Sequence, residues 1–368
     1  MKFTCEKDEL IKEISIAQEI ISSRNVLSIL SNVFLNVGEN TLTIRATDLK
    51  VGFETSISVE ASNTGSTTVF CDKLLGILKS LPTGEIEFEL SENMMLTIRP
   101  LFKKIDFQLK SISSEKYPEI QSTQEENFFE FQQKDFIEMI SSTSFAISDD
   151  ETRYFMNGVY LEKAEDRLIM VASDGRRLSF IAKPVDPDLP DIKGIIIPPK
   201  ILNILRRLLP GEGNLSLCIT DKNVFAKFGS HKISSSLIDG QFPNYQRVIP
   251  DSQENRIVVK RELLENALKR VSLLVEQKSR RIFLKVEENN LIISSEESEI
   301  GMAREEIPCE YTGPEATIAL NYIYLMEPLK EIAEENVSIE FTETGKAVTL
   351  KSVPEKEYLH IVMPMQTK

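Results

Sequence analysis

The sequence predicts an α+β protein of three repeated domains, each with two helices on one face and antiparallel sheets outside. Three observations predict this. An internal repeat spans the chain, short runs alternate apolar and polar residues, and longer segments carry apolar residues at i, i+3 and i+4. The helical segments KDELIKEISIAQEII, KDFIEMISSTSFAI and KRELLENALKRVSLLV begin at Lys7, Lys134 and Lys260, at spacings of 127 and 126 residues. A second set, CDKLLGILKSLPTGEIEFEL, PPKILNILRRLLPGEGNLSLCI and LNYIYLMEPLKEIAEENVSIEF, aligns at Lys73, Lys200 and Tyr322, at spacings of 127 and 122. Two matches at one period divide the chain into domains expected at 1–122, 127–250 and 255–368.

Each copy is itself doubled. In the first, the strand FTC at Phe3 leads into the helix from Lys7, and the strands NVFLNV, TLTIRAT and VGFETSISV follow. The pattern restarts with TTVF, a helix from Asp72 to Leu81, and the strands EIEFEL, MMLTIR and IDFQLKSI. FEF at Phe129 and IVV at Ile257 open the other copies. Turn residues separate the strands at Gly38-Glu39-Asn40, Pro82-Thr83-Gly84, Gly211-Glu212-Gly213 and Glu288-Asn289-Asn290. Polar linkers are expected at Tyr117 to Glu126 and Pro250 to Asn255. Domains joined in this way form a curved array that closes into a ring at a suitable angle, or stand independently on a string. Periodicity alone leaves both open.

The composition, 41% hydrophobic and 27% charged, is that of an ordinary globular protein. Its apolar runs fall far short of the ~20 residues that span a bilayer. The opening MKFTCEKDELIKE carries charges where a signal peptide is apolar, so the expected location is the cytoplasm. Cys5, Cys71, Cys218 and Cys309 form no C-x-x-C pair and read as buried free thiols.

Chemistry is poorly supplied. His231 and His360 stand in unrelated contexts, and there is no H-E-x-x-H and no P-loop. The run from Asp186 to Asp191 has two prolines and the wrong spacing for a calcium loop. The acidic stretch SSEESEIGMAREE, Ser294 to Glu306, reads as a charged edge or an interface. No catalytic group, metal or cofactor is expected.

The net charge of −14 argues against a nucleic-acid partner, but the charge is unevenly placed. PPKILNILRRLL carries Lys200, Arg206 and Arg207 without an acid, and DKLLGILKSL carries Lys73 and Lys79. VEQKSRRIF brings Lys278, Arg280 and Arg281, and nearby loops hold Arg24 and Arg153. A basic helical face inside an acidic shell would meet phosphates without reading bases, giving weak, salt-sensitive and mobile contact.

Several segments carry a more specific signal. MKFT at the start, TDL at Thr47 to Leu49, RYFMNG at Arg153 to Gly158, ASDGRRL at Ala172 to Leu178, DGQFPNYQRVIP at Asp239 to Pro250 and VMPM at Val362 to Met365 occur together. In this combination the chain resembles the bacterial DNA polymerase III β subunit family, the replicative sliding clamps, over its full length. The resemblance implies a head-to-tail homodimer whose six domains form a ring around duplex DNA. The ring has no catalytic activity, tethers the polymerase III catalytic subunit and other proteins, and is opened by an ATP-driven loader. It also implies a hydrophobic cleft for short peptides bearing a Gln and two or three apolar side chains. That cleft comprises Met156, Ser173, Gly175, Arg176, Arg177, Leu178, Phe242, Pro243, Arg247, Val248, Val362, Met363, Pro364 and Met365. The implied DNA contacts are Arg24, Arg153, Tyr154, Lys200, Lys278, Arg280, Asn321 and Tyr324. At the implied dimer contact, Phe107 and Leu109 on an edge strand face Leu273 and Leu274 of the partner, and Lys73 faces acids including Glu297 and Glu299. Two features depart from the family pattern: Arg176 stands where His is frequent, and Gln-Thr-Lys follows Met365. A monomeric repeat scaffold that binds peptides and never touches DNA is the alternative.

Overall fold

The computed structural model describes residues 1–21, 28–123, 128–187 and 189–366. The first block holds β1 (Lys2–Glu6), α1 (Lys7–Ile20), β2 (Asn32–Val37), β3 (Thr41–Thr47), β4 (Val51–Ser58), β5 (Glu60–Asn63), β6 (Gly65–Phe70), α2 (Cys71–Ser80), β7 (Glu85–Leu90), β8 (Met95–Pro100) and β9 (Phe107–Ile112). The second holds β10 (Phe129–Gln132), α3 (Gln133–Thr143), β11 (Val159–Ala164), β12 (Arg167–Ser173), β13 (Arg177–Pro184), β14 (Ile195–Ile197), α4 (Pro199–Leu208), β15 (Asn214–Ile219), β16 (Asn223–Phe228) and β17 (His231–Ser236). The third holds β18 (Asn255–Lys260), α5 (Arg261–Val271), β19 (Arg281–Glu287), β20 (Asn290–Ser295), β21 (Arg304–Pro308), β22 (Ala316–Asn321), α6 (Tyr322–Glu331), β23 (Asn336–Phe341), β24 (Val348–Val353) and β25 (Tyr358–Val362).

The repeat predicts two helices per block, and each pair packs together: α1 on α2, α3 on α4, α5 on α6. The apolar stripes explain the pairing. α1 buries Leu10, Ile14, Ala17 and Ile20, and α2 buries Leu74, Leu75 and Leu78. Charges at the ends suit the helix dipole. Asp8 and Glu9 occupy the first turn of α1, while α4 starts on Pro199 and ends with Arg206 and Arg207.

By contacts the chain divides into two compact units, Met1–Phe131 with Gly213–Leu237, and Gln132–Glu212 with Ile238–Lys368. The first unit contains one thirteen-stranded sheet in the order β10-β15-β16-β17-β4-β3-β2-β6-β9-β8-β7-β1-β5. The second contains an eight-stranded sheet, β14-β11-β12-β13-β25-β24-β23-β18, and a four-stranded sheet, β21-β20-β19-β22. The named strand pairs are antiparallel, and sheets continue across the repeat boundaries. β17 pairs with β4, placing Ile233 opposite Phe53, and β13 pairs with β25. An open sheet edge presents unpaired N–H and C=O groups, and here the neighbouring repeat satisfies them.

Three local expectations change. β5, sequence EASN, carries no alternating apolar signal and forms by pairing with β1. Tyr117, expected to open a linker, is buried in the first unit and donates its hydroxyl to the carbonyls of Asn32 and Arg45 at 3.3 and 3.4 Å. β9, expected at a sheet edge, lies between β6 and β8. Its far end pairs with β6 at Ser111 and Ile112, whereas Phe107 to Lys110 pair with β8 alone. β6 ends at Phe70 and the chain turns into α2, so only that half of β9 keeps an open side.

The four cysteines are buried and free. Burial pushes the Cys5 and Cys71 thiols up to about 12, so they are protonated packing groups at neutral pH.

Candidate functional site

The segment VMPM lies at a seam in the second unit. β25 runs antiparallel to β13, with Arg177 opposite Val362 and Leu178 opposite Ile361. The ladder continues one step past the strand, where Met363 N donates to the Arg176 carbonyl at 2.9 Å. Pro364 has no N–H to continue it. The chain then crosses to the four-stranded sheet, where Met365 N donates to the Ala319 carbonyl at 2.8 Å. Arg281 Nη1 donates to the Gln366 carbonyl at 3.2 Å. Ile361 and Val362 are fully buried, while Met363 is 42% exposed. The run is therefore a packed strand that turns into an accessible wall.

The facing loop, Ser173 to Arg177, is held by its own side chains. Ser173 Oγ donates to the Arg177 carbonyl at 2.7 Å and accepts from Gly175 N at 3.1 Å. Asp174 Oδ1 accepts from the backbone N–H groups of Arg176 and Arg177 at 2.8 and 3.0 Å. Gly175 has φ +84°, and a Cβ there would lie 2.8 Å from Arg153 Nη1 and 3.9 Å from Met156 Cε. Glycine at this position lets Arg153 and Met156 close against the loop.

The floor is one apolar cluster: Ile169, Val171, Leu178, Ala182, Ile196, Phe242, Tyr245 and Ile361, with Tyr160 and Phe180 packed on it. The Phe242 ring stacks on Tyr160 with centroids 5.0 Å apart. Above the floor, Pro243, Arg247 and Val248 are exposed, Val248 by 43%. The exposed Arg176 and Arg247 side chains have no ion-pair partner among the described residues. Of the residues expected at the cleft, Met156, Ser173, Leu178, Phe242 and Val362 are buried. Gly175, Arg176, Pro243, Arg247, Val248 and Met363 are exposed, with Pro364 and Met365 half-buried.

Arg177, expected on the cleft wall, points into the protein. It ion-pairs with Glu327 and with Asp174 (3.1 Å), and donates to the Phe145 carbonyl. Its guanidinium lies 4.5 Å from the centre of the Tyr324 ring. The physical reason is satisfaction of charge: a buried guanidinium needs carboxylate and carbonyl partners, and Glu327, Asp174 and Phe145 supply them. The same cluster sets a titration. Desolvation, reinforced by the Arg177 charge, lowers the buried His360 from 6.5 to about 3. Between these values the unfolded chain binds the extra proton and the folded chain does not. Stability is therefore full above pH 6.5 and falls as pH drops below it, by up to about 1.4 kcal/mol per pH unit. Urea midpoints measured from pH 7.0 to 5.5 should show this slope, and His360→Asn should flatten it. An unchanged slope would assign the effect elsewhere.

The residues expected at DNA are variously placed. Arg24 lies outside the described residues. Arg153 pairs with Asp150 at 2.9 Å, and hydrogen bonds from Thr152, then from Arg153, hold the Asp150 carboxyl below its usual range. Tyr154, Lys278 and Arg280 are exposed, and Lys200 is half-buried in the first turn of α4. Asn321 caps α6, its Oδ1 accepting from Ile323 N at 3.0 Å. Tyr324 lies against Arg177.

The expected dimer residues fall on two surfaces. In the first unit, Phe107 and Leu109 are half-buried on the open half of β9, with Lys73 exposed on α2. In the second, Leu273 is 79% exposed and Leu274 half-buried in the short turn after α5, and Glu297 and Glu299 are exposed. Sequence reading missed Phe102, 88% exposed in the first unit, and Ile300 and Met302, exposed beside the glutamates. They lie outside the helices and strands, where apolar residues carry no periodic signal. His231 serves the interior, its Nε2 2.9 Å from a Glu13 carboxylate oxygen. Among the described residues no group of three or more His, Cys, Asp or Glu could hold a metal ion.

A threefold α+β repeat with paired helices in each block places the chain among DNA-clamp proteins. Residues 1–121, 130–244 and 246–366 match the N-terminal, central and C-terminal domains of the DNA polymerase III beta subunit. The chain is 50% identical over 372 residues to the beta sliding clamp of Treponema pallidum, covering all of both chains. It superposes with a TM-score of 0.94 and 29% identity on the Pseudomonas aeruginosa DNA polymerase III subunit beta bound to griselimycin, covering all of both. A beta sliding clamp of C. crescentus, with PEG bound at the region assigned to beta-motif tethering, matches at 28% identity and TM-score 0.94, covering 100% of this chain and 99% of that one. The chain belongs to the DNA polymerase III beta subunit family, the sliding clamps that act as processivity factors in DNA replication.

Proposed function

We propose that two copies of this chain close head to tail into a ring around duplex DNA and tether the replicative polymerase and other proteins through the cleft at β13 and β25. The ring works in the cytoplasm without catalysis and without a cofactor, and an ATP-dependent loader opens it. The observation that carries this reading is the seam between β13 and β25, which leaves Met363 exposed beside an apolar floor. Methionine suits a pocket shared by several partners because it is flexible and polarizable. Exposed Tyr154, Lys278 and Arg280 supply contacts without base readout, so retention rests on topology and not on affinity.

Topology is tested by geometry of the DNA. After loading onto nicked circular DNA, the protein should stay bound through a wash at about 0.5 M salt, where charge contacts are screened. Cutting the same circle should release it. Equal loss from circular and linear DNA would exclude encirclement.

A further inference from the structure

We infer that Glu162 is a positioning residue for the cleft: its carboxylate ties the loop from Asp239 to Pro250 to strand β11 and holds that wall in one conformation. The inference rests on the cleft reading given above. The loop carries Phe242, Pro243, Arg247 and Val248, yet its regular structure is a single turn of 3-10 helix, Tyr245–Arg247. A wall of this kind needs an anchor from outside the loop.

Glu162 supplies one. Tyr245 donates its hydroxyl to Glu162 Oε1 at 2.6 Å, and Tyr160 donates to Oε2 at 2.9 Å. Both carboxylate oxygens are used, and both phenols belong to rings that build the floor. Tyr160 carries the Phe242 ring, and Tyr245 packs against Phe180 at 5.9 Å between centroids. The support is rigid, because β11 is paired on both sides, with β12 and β14. Gly194 completes it: a Cβ there would lie 1.9 Å from the Tyr160 hydroxyl, so only glycine leaves room for the phenol. Burial, then the Glu162 carboxylate, raises both phenols, Tyr160 to about 12, so both remain donors at neutral pH.

Hydrogen bonds to an ionised carboxylate are the stronger kind. A loop already held in place need not be ordered when a peptide arrives. Releasing it leaves only a fraction of molecules competent at any moment, which lowers apparent affinity by that fraction. The loss then appears in the association rate, whereas loss of a direct contact appears in dissociation.

The test uses the full-length dimer and a fluorescein-labelled synthetic peptide with one Gln followed by two Leu and one Phe. Glu162→Ala should weaken binding about tenfold through slower association, with dissociation unchanged within about twofold. Glu162→Gln keeps an acceptor for one phenol and a donor for the other, and should bind within about threefold of the unmodified protein. If Glu162→Ala does not fold, Tyr245→Phe removes one bond and should slow association about threefold. The protein has no tryptophan, so its near-UV circular dichroism reports the tyrosine environment directly. Unchanged affinity in Glu162→Ala, or a loss confined to dissociation, overturns the inference. Failure of the unmodified protein to bind the peptide overturns the cleft reading itself.

Discussion

A chain ending at Val362 is expected to remain a dimer and to lose peptide binding by more than about a hundredfold. The truncation removes Met363, Pro364 and Met365, the accessible part of the seam, together with the hydrogen bonds from Met363 N to Arg176 and from Met365 N to Ala319. Burial of one Met side chain against a ligand contributes about 1.5–3 kcal/mol, so two account for at least two orders of magnitude. The cut is placed after Val362 because that side chain is fully buried and paired with Arg177. Removing it as well would open a cavity costing a further 1 kcal/mol or so and confuse lost binding with lost folding. Fluorescence polarisation with a labelled peptide measures the loss of binding, and light scattering the dimer. Unchanged affinity would move the binding site away from β25.

Leu273→Glu is expected to convert the dimer to a monomer, with the solution mass falling from twice the 41.8 kDa of the chain to that value. Leu273 is 79% exposed within the single chain, so the substitution should leave folding within about 0.5 kcal/mol of its original stability. In the proposed dimer it would place a carboxylate against the apolar side chains of β9, at a cost of about 2 kcal/mol or more. A closed head-to-tail ring has two such contacts, so the cost counts twice and the dissociation constant rises by about a thousandfold or more. A dimer that persists at micromolar concentration would place the contact elsewhere.

The repeats, paired helices and most strands were legible because each produces a periodic pattern within its own residues. What was not legible depends on partners far away in the chain. Nothing in IDFQLKSI tells that Ser111 and Ile112 meet β6 while Phe107 to Lys110 keep one side open. Arg177 in ASDGRRL is expected on the cleft wall, and its burial depends in part on Glu327, 150 residues later. The residues expected at the cleft come from the family resemblance. The tyrosine pair beneath them was not, although Tyr160 and Glu162 alternate on one face of β11 and Tyr245 offers a hydroxyl that a buried ring must satisfy. Buried polar groups of this kind leave no periodic trace, because their meaning lies in the pairing.

The partnership of β13 with β25 also orders events in time. Arg177 and Val362 are made at widely separated moments of translation, and until β25 emerges the edge of β13 stays open. With clients docking as proposed, a ribosome-bound or prematurely terminated product would have no place for one to attach, and recruitment would wait until synthesis has passed that strand.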